Sequence, residues 1–403
     1  MPVSHPSAPE ERLVPGFMSA GALFQLTRDG RATTRSDILR LTGLARSTVV
    51  QRLDPLFEMG LIEEVGRGLS TGGRPPTTIG FNASAGVVLV ADLGATHARL
   101  AVTDLAGTIL TERAADHAIA AGPDETIAWV LAGFDELLVV ADRPASSVWG
   151  VGVGVPGPVE FSAGRVVRPP IMPGWDGVAI PELIHARHPV PVLVDNDVNI
   201  MAVGEFSAGW RDQTDDFLFI KVGTGIGCGV VLHGRIHRGA QGTAGDVGHI
   251  RVADHGTCHC GNIGCVEAVA SGDALAAELR AAGVQIDGSR DVARLVSEGN
   301  TKATSFVRAA GRYLGEVVAS AVNLFNPSVV VIGGDIALAH EQFLAGVREI
   351  VYQRSTPLAT QHLRITESRL GDRAGVIGAA AMVLDEILSP AAVDAMIATQ
   401  ESA

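Results

Sequence analysis

The chain is 403 residues long, more than one ordinary domain needs, and is 47% hydrophobic but only 4% aromatic, so its core is assigned to Val, Leu, Ile and Ala in an α/β protein with buried strands. The net charge of −13 excludes a whole-surface nucleic-acid binder; residues 1–80 hold 9 Arg and no Lys against 8 Asp and Glu, the remainder 22 basic against 36 acidic residues, so any contact with DNA is local and carried by a few arginines. No stretch reads as a membrane span or signal peptide, and three of the four cysteines fall within eight positions, which suits metal binding in a reducing cytoplasm better than a disulfide framework.

Residues 1–16, with four prolines, read as a loose tail. A helix is predicted from Ser19 to Arg28 and another from Thr34, where Thr34 and Asp37 form a capping-box pattern ahead of Ile38, Leu39 and Leu41. Thr42-Gly43-Leu44 is a turn. A third helix starts near Arg46 with a buried stripe of Val49, Leu53, Leu56 and Phe57 and stops at Gly60. Ala45 offers no side-chain cap to this helix. Pro55 predicts a kink after Asp54 that spares the first two turns. Leu61–Val65 and Thr77–Phe81 read as strands joined by the Gly-rich segment 66–76.

Helix, turn, helix and β-ribbon is the order of a winged helix-turn-helix, which assigns residues 1–81 to a DNA-binding domain. Arg46, Ser47, Thr48, Gln51 and Arg52 lie off the apolar stripe and are residue types that hydrogen-bond base edges and phosphates. Arg74 is placed to enter an adjacent minor groove. The plainer alternatives are a small helical packing module and, for Gly72–Pro76, a simple linker.

From Gly86 the pattern changes. Val87–Ala91 is a buried strand that runs into Asp92-Leu93-Gly94-Ala95-Thr96, followed by a strand at Arg99–Thr103 and a turn at Asp104–Gly107. Strands follow at Val148–Val155 and Pro191–Val194, the latter ending at Asp195-Asn196-Asp197. The opening theme then returns: Phe217–Val222, the turn Gly223-Thr224-Gly225-Ile226-Gly227, Cys228–Leu232 and a turn at His233-Gly234. This repeat implies two related lobes facing a cleft. A third turn, Gly333-Gly334-Asp335, follows the strand Val329–Ile332, and a final helix is placed near Ala374–Ile387. The lobes are set at 82–195, to which a helix at about 374–390 returns, and 196–373.

These residues resemble the ROK family of repressors, open reading frames and kinases, from about Thr33 to Leu384. The most specific elements are the segment from Gly256 through Cys258, Cys260 and Cys265 to Glu267, and Gly245-Asp246-Val247-Gly248-His249 before it. The front segment is similar to the winged helix-turn-helix of the repressor branch in Gly43–Val49 and Thr71–Pro76. The resemblance implies an actin-like, two-lobed sugar-kinase fold of ribonuclease-H-like lobes.

Cys258, Cys260 and Cys265 with one imidazole complete a tetrahedron for a structural Zn²⁺. His259 and His249 are both available; the resemblance points to His249. The metal is expected to brace the loop that presents His249 and Glu267. Cys228 reads as a plain buried cysteine.

The resemblance also implies a sugar site at Asn196, Asp197, Asp246, His249 and Glu267. Asp246 stands where the family usually has Glu, and Pro170 where many sugar kinases have Asn. Asp197 is placed like the family's general base. Gly223, Thr224 and Gly225 could cradle one phosphate, and Asp92, Gly94 and Thr96 another, with Gly333 and Gly334 beneath an adenosine. Ala95 replaces a usual Gly and His97 a usual Lys or Asn, so ATP and Mg²⁺ are expected only if kinase activity survives.

The expected function is a sugar-responsive transcription regulator, a homodimer or tetramer with operator DNA and a monosaccharide effector as partners and no membrane. An ATP-dependent sugar kinase is the alternative.

Overall fold

The computed structural model describes residues 19–67, 77–336 and 341–401. They fall into two compact units: the described residues up to Val87 with Asp104–Thr108 and the chain from Leu384 onward, and Val88–Thr103 with Ile109–Val383.

The first unit opens with α1 (Ala20–Arg28), α2 (Arg35–Thr42) and α3 (Arg46–Glu58), then β1 (Ile62–Arg67) and β2 (Thr77–Phe81). Ser19 caps α1 by accepting from the Ala22 amide at 3.2 Å. Thr34 and Asp37 close the expected reciprocal box: the Asp37 amide donates to Thr34 Oγ1 at 3.1 Å and the Thr34 amide to Asp37 Oδ2 at 3.0 Å. Gly43 takes the left-handed conformation, with φ +68°, that turns the chain from α2 toward α3.

Ala45 leaves α3 without a side-chain cap, and the helix runs through Pro55 to Glu58, ending just before Gly60, both as expected. The buried Val49, Leu53 and Leu56 hold it, and their packing outweighs one lost amide donor. β1 and β2 form an antiparallel ribbon with Ile62 opposite Phe81. The ring of Phe81 meets Phe24 edge-on at 5.5 Å. Arg74 and most of the Gly-rich segment lie outside the described residues.

The second unit contains, in order, β3 (Val87–Leu93), β4 (His97–Asp104), β5 (Ile109–Asp116), α4 (Pro123–Val140), β6 (Val148–Val155), β7 (Val159–Glu160), β8 (Arg165–Val166), α5 (Ile180–His185), β9 (Val192–Asn196) and α6 (Asp197–Gly209). It continues with β10 (Phe217–Val222), β11 (Ile226–Leu232), β12 (Arg235–Ile236), α7 (Val266–Ala270), α8 (Gly272–Ala281), α9 (Ser289–Ser297) and α10 (Thr301–Phe325). It ends with β13 (Val329–Gly333), α11 (Glu341–Arg354), α12 (Pro357–Thr360), β14 (Arg364–Glu367) and α13 (Ala374–Ile387).

Two five-stranded sheets result, with orders β5-β4-β3-β6-β9 and β12-β11-β10-β13-β14. In the second, β10 pairs antiparallel with β11 and parallel with β13, and β13 parallel with β14. In the first, β4 pairs antiparallel with β5 and β6 parallel with β9. The same order occurs twice, as the paired Gly/Thr turns implied, and gives the two-lobed sugar-kinase-like α/β fold. β10 alternates its burial: Leu218, Ile220 and Val222 enter one core and Phe217 and Phe219 another, beside Val198, Met201 and Ala202 of α6.

Glycines let α6 and α13 touch through their backbones. A Cβ on Gly204 would lie 2.1 Å from the Ala374 carbonyl oxygen, and one on Gly378 1.6 Å from that of Ile200.

The expected last helix ends at Ile387, but a further one, α14 (Pro390–Glu401), follows it. α14 belongs to the first unit and packs on α1. The Gly21 amide donates to Asp394 Oδ1 at 2.8 Å, and Gln25 Nε2 donates to the Leu388 carbonyl. Gly21 is required there, because its Cβ would stand 2.1 Å from the Pro390 carbonyl oxygen. Gly21→Ala is therefore expected to destabilise this unit by about 1–3 kcal/mol, as overpacking against rigid backbone does. Chemical unfolding followed by fluorescence checks it; an unchanged midpoint would refute the contact. Among the described residues no single helix is long and apolar enough to cross a membrane.

Candidate ligand cleft and metal centre

The β11–α7 connection carries the cysteines. Its course is fixed by short backbone bonds: Cys258 N donates to the Asn262 carbonyl at 2.9 Å, Gly261 N to Cys258 at 2.9 Å, and Gly264 N to Gly256 at 2.8 Å. Gly264, at φ +79°, passes so close to Ala253 that a Cβ would lie 1.8 Å from its carbonyl oxygen.

This fold gathers His249, Cys258, Cys260 and Cys265, whose ligand atoms all lie within 4.8 Å of one another. Cys258 Sγ is 3.4 Å from His249 Nδ1, and Cys260 Sγ is 3.7 Å from Cys265 Sγ. Ligands at about 2.0–2.3 Å from one ion are spaced this way in a tetrahedron, so the donor set fits a metal ion. His259 is not in the cluster. Cys228 is apart from it and buried, and burial pushes its thiol up to about 12.

The β9–α6 junction carries the first sugar candidates. Asn196 caps α6: its Oδ1 accepts from the Val198 amide at 2.9 Å, and its Nδ2 donates to the Gly157 carbonyl at 3.1 Å. Asp197 is buried in the first turn. Its Oδ1 accepts from the Val198 amide at 2.8 Å and its Oδ2 from the Lys221 ammonium.

Glu267, in the first turn of α7, accepts from the Ile226 amide at 3.0 Å through Oε2. Asp197 and Glu267 are thus both fastened to the β10–β11 hairpin. His249 turns Nδ1 to the thiols, while its Nε2 lies 3.9 Å from Oδ1 of the exposed Asp246.

A cleft of about 280 Å³ is lined by Asp92, Gly94, Thr96, Gly223, Thr224 and Gly334, among others. The β3–β4 turn is closed by the Gly94 amide donating to His97 at 2.8 Å. Ala95 does not adopt positive φ, so its methyl puts no strain on this backbone. The glycine that needs positive φ is Gly334, at +89°, packed on the Val222 backbone, while Gly333 lies against the Phe219 ring. A larger depression, about 940 Å³, opens over α10 and α11; Arg312 and Arg354 there pair with Glu349 and Glu316, and none of the expected ligand groups lines it.

Burial is the main cause that raises Asp92 to about 7; Lys221 opposes it and Asp197 adds to it. Burial, then the charges of Arg290 and Lys221, lower His97, so at neutral pH it does not replace a cationic Lys. For Asp92, whose value is about 3.8 in the unfolded chain, the folded state binds the proton more tightly. The stability this provides is present below pH 4 and is lost as pH rises toward 7. Asp92→Asn is expected to flatten that loss, gaining on the parent protein from pH 5 to pH 8 in thermal melts. Parallel curves for the two proteins would contradict it.

Three groups at the β9–α6 junction escaped sequence reasoning. Arg238 Nε donates to Asp195 Oδ2 at 2.8 Å, and its guanidinium lies 3.5 Å from the centre of the Phe161 ring. Asp195 Oδ1 in turn accepts from the Asn196 amide and Asn199 Nδ2, each at 2.8 Å. The clue was the charge of Asp195 at the end of an apolar strand. Lys221 gives a similar clue, two positions before Gly223.

On α3, Arg46, Ser47 and Gln51 are exposed and Thr48 is half-buried. Arg52 is also half-buried, and its Nη1 is buried without a protein partner, so this side chain is less free than its place off the apolar stripe suggested.

The profile of the ROK family matches residues 88–386. A putative xylose repressor of Caldicellulosiruptor sp. is 33% identical over 376 residues, which are 90% of this chain and 94% of that protein. Among solved structures, a ROK family transcriptional regulator, a homologue of the E. coli MLC protein, superposes with a TM-score of 0.80 at 27% identity, covering 94% of this chain and 97% of the other. A ROK hexokinase from Thermus thermophilus superposes at 0.62 with 31% identity, covering 74% of this chain and 99% of the other.

Proposed function

The chain belongs to the ROK family, and from that premise we propose that it is a sugar-responsive, DNA-binding repressor of carbohydrate-metabolism genes. The observation that carries this reading is the extent of the similarity: the repressor relative and the regulator structure cover 90% and 94% of the chain, more than the family body at residues 88–386 alone, whereas the hexokinase match covers 74%.

In this reading residues 1–81 read the operator and the two lobes, 82–195 and 196–373, hold the effector. Arg46, Ser47, Thr48 and Gln51 face the major groove, Arg52 contacts a phosphate, and Arg74 enters the minor groove. Two such heads in a homodimer read a palindrome, which one module alone would bind weakly. The acidic body is repelled by DNA, so only the heads touch it. The working compartment is the cytoplasm.

The effector is a monosaccharide, with xylose the first candidate because the relative at 33% identity is a putative xylose repressor. Asn196, Asp197, Asp246, His249 and Glu267 meet its hydroxyls. Carboxylates accept from hydroxyls and an amide can do both, so the set recognises a polyol by paired bonds. Zinc, held by His249, Cys258, Cys260 and Cys265, supplies no chemistry to the sugar; it fixes the loop between Asp246 and Glu267. Sugar binding favours one arrangement of the lobes and thereby changes operator affinity.

A thermal-shift screen of monosaccharides with footprinting at several salt concentrations tests this. The expected result is a raised melting temperature with one sugar and a protected palindrome whose occupancy that sugar alters. Steady ADP release with sugar and ATP and no sequence-preferring DNA binding would replace it with the kinase reading.

A further inference from the structure

Lys221 is a charged residue in a strand whose other five residues are buried. It follows Phe217 and Phe219 on the face of β10 turned to α6, and there its ammonium meets the Asp197 carboxylate. Burial acts against the ammonium, but the charge and hydrogen bond of Asp197 and the charges of Asp92 and Asp335 outweigh it and raise its pKa above the ordinary value. Lys221 is therefore a permanent cation.

Two further carboxylates that line the cleft have cationic neighbours. Asp335 accepts from Ser289 Oγ at 2.7 Å and pairs with Arg290 at 3.4 Å. Asp372 lies 3.9 Å from Arg99. Asp92, half-buried at the end of β3, is held toward its neutral form by desolvation, and Asp116 lines the cleft as well. A metal-bound nucleotide needs carboxylates free to share a divalent ion, and a phosphoryl acceptor needs a base with an open lone pair. Two of the carboxylates that line the cleft are turned to its own cations and Asp92 is held toward neutrality, which leaves less negative charge for the magnesium ion that a kinase of this fold requires.

We propose that Lys221 is the resident cation of the cleft, a specificity-determining residue that holds Asp197 as a hydrogen-bond acceptor for a neutral monosaccharide and keeps a divalent metal–nucleotide out of the adjoining Gly223-Thr224-Gly225 turn. The inference rests on the sugar-cleft reading above and extends it: one ammonium separates a sensor from a kinase. The like charge of Lys221 repels an incoming divalent ion, and its hydrogen bond competes for the lone pairs that would take a hydroxyl proton.

Manganese titration of the zinc-loaded full chain, with free Mn²⁺ read by electron paramagnetic resonance, tests it. The parent protein is expected to bind no Mn²⁺ that Asp197→Asn removes. Lys221→Met is expected to take up one Mn²⁺ per chain, at least about tenfold more tightly than the parent, and to lose it again when combined with Asp197→Asn. A sugar-induced rise in melting temperature is expected to be the same with and without Mg²⁺. Mn²⁺ bound by the parent and lost in Asp197→Asn would overturn the proposal, as would a folded Lys221→Met that binds no more than the parent, or a sugar shift that needs Mg²⁺. Should Lys221→Met fail to fold, Lys221→Gln replaces it, and the parent titration decides on its own. If no sugar shifts the melting of the parent under any condition, the sugar reading has failed, while the Mn²⁺ titrations still decide the role of Lys221.

Discussion

Removing the metal from the His249–Cys258–Cys260–Cys265 cluster is expected to lower the melting temperature of the chain by about 10 °C or more and to abolish its response to sugar. Apart from its backbone hydrogen bonds, the loop has little apolar packing to hold it. Ile263 is exposed, Cys260 is exposed, and the segment is glycine-rich. Three thiols brought together without an ion would repel as they ionise and would oxidise readily. The ligands also sit at strategic points: His249 ends the turn that starts at Asp246, and Cys265 is the residue before α7. Releasing them frees Glu267 from the Ile226 amide, so the ligand site loosens with the metal. Metal analysis, calorimetry and sugar titration of chelated and reconstituted protein provide the measurement. Cys258→Ser should behave as the chelated protein does, and Cys228→Ser should keep full metal content. Chelated protein that melts and responds like the parent would end the argument.

The second large effect is on DNA. Arg46→Ala and Gln51→Ala are expected to weaken operator binding by about 1–3 kcal/mol each, or roughly five- to 150-fold. Both side chains are exposed at the start of α3, and the buried Val49, Leu53 and Leu56 behind them are untouched, so stability should hold. Base contacts and phosphate contacts can be told apart. Loss of a base contact relaxes sequence preference at one position, whereas loss of a phosphate contact weakens all sequences alike and flattens the salt dependence. Gel shifts on operator and scrambled duplexes at several salt concentrations read both. Unchanged affinity in the double variant would move the reading surface off α3.

How much of this the sequence carried depends on how local the cause was. The box at Thr34 and Asp37, the turn at Gly43 and the stripe of Val49, Leu53 and Leu56 are decided within a few residues, and each appears where expected, although Phe57, assigned to the same stripe, is only half-buried. The repeated sheet was legible because Asp92–Thr96 and Gly223–Gly227 repeat one strand–turn–strand pattern. The metal cluster was legible for its three cysteines; choosing His249 over His259 took the resemblance, because the sequence puts His259 nearer.

What stayed hidden depends on partners far apart in the chain. Lys221 reaches Asp197 across 24 positions and Arg238 reaches Asp195 across 43. The hidden role of Gly21 depends on Pro390, at the other end of the chain.

That last pairing has a consequence for synthesis. The first unit is assembled from segments far apart in the chain, since α1 must receive α14. A ribosome exposes the first helices hundreds of codons before their final neighbour. Until α14 has been made, α1 lacks the helix it packs on, so the first unit completes its packing late in synthesis. Truncated products therefore lack a complete first unit, and an excised fragment intended for crystallography should graft the last helix onto the first eighty residues.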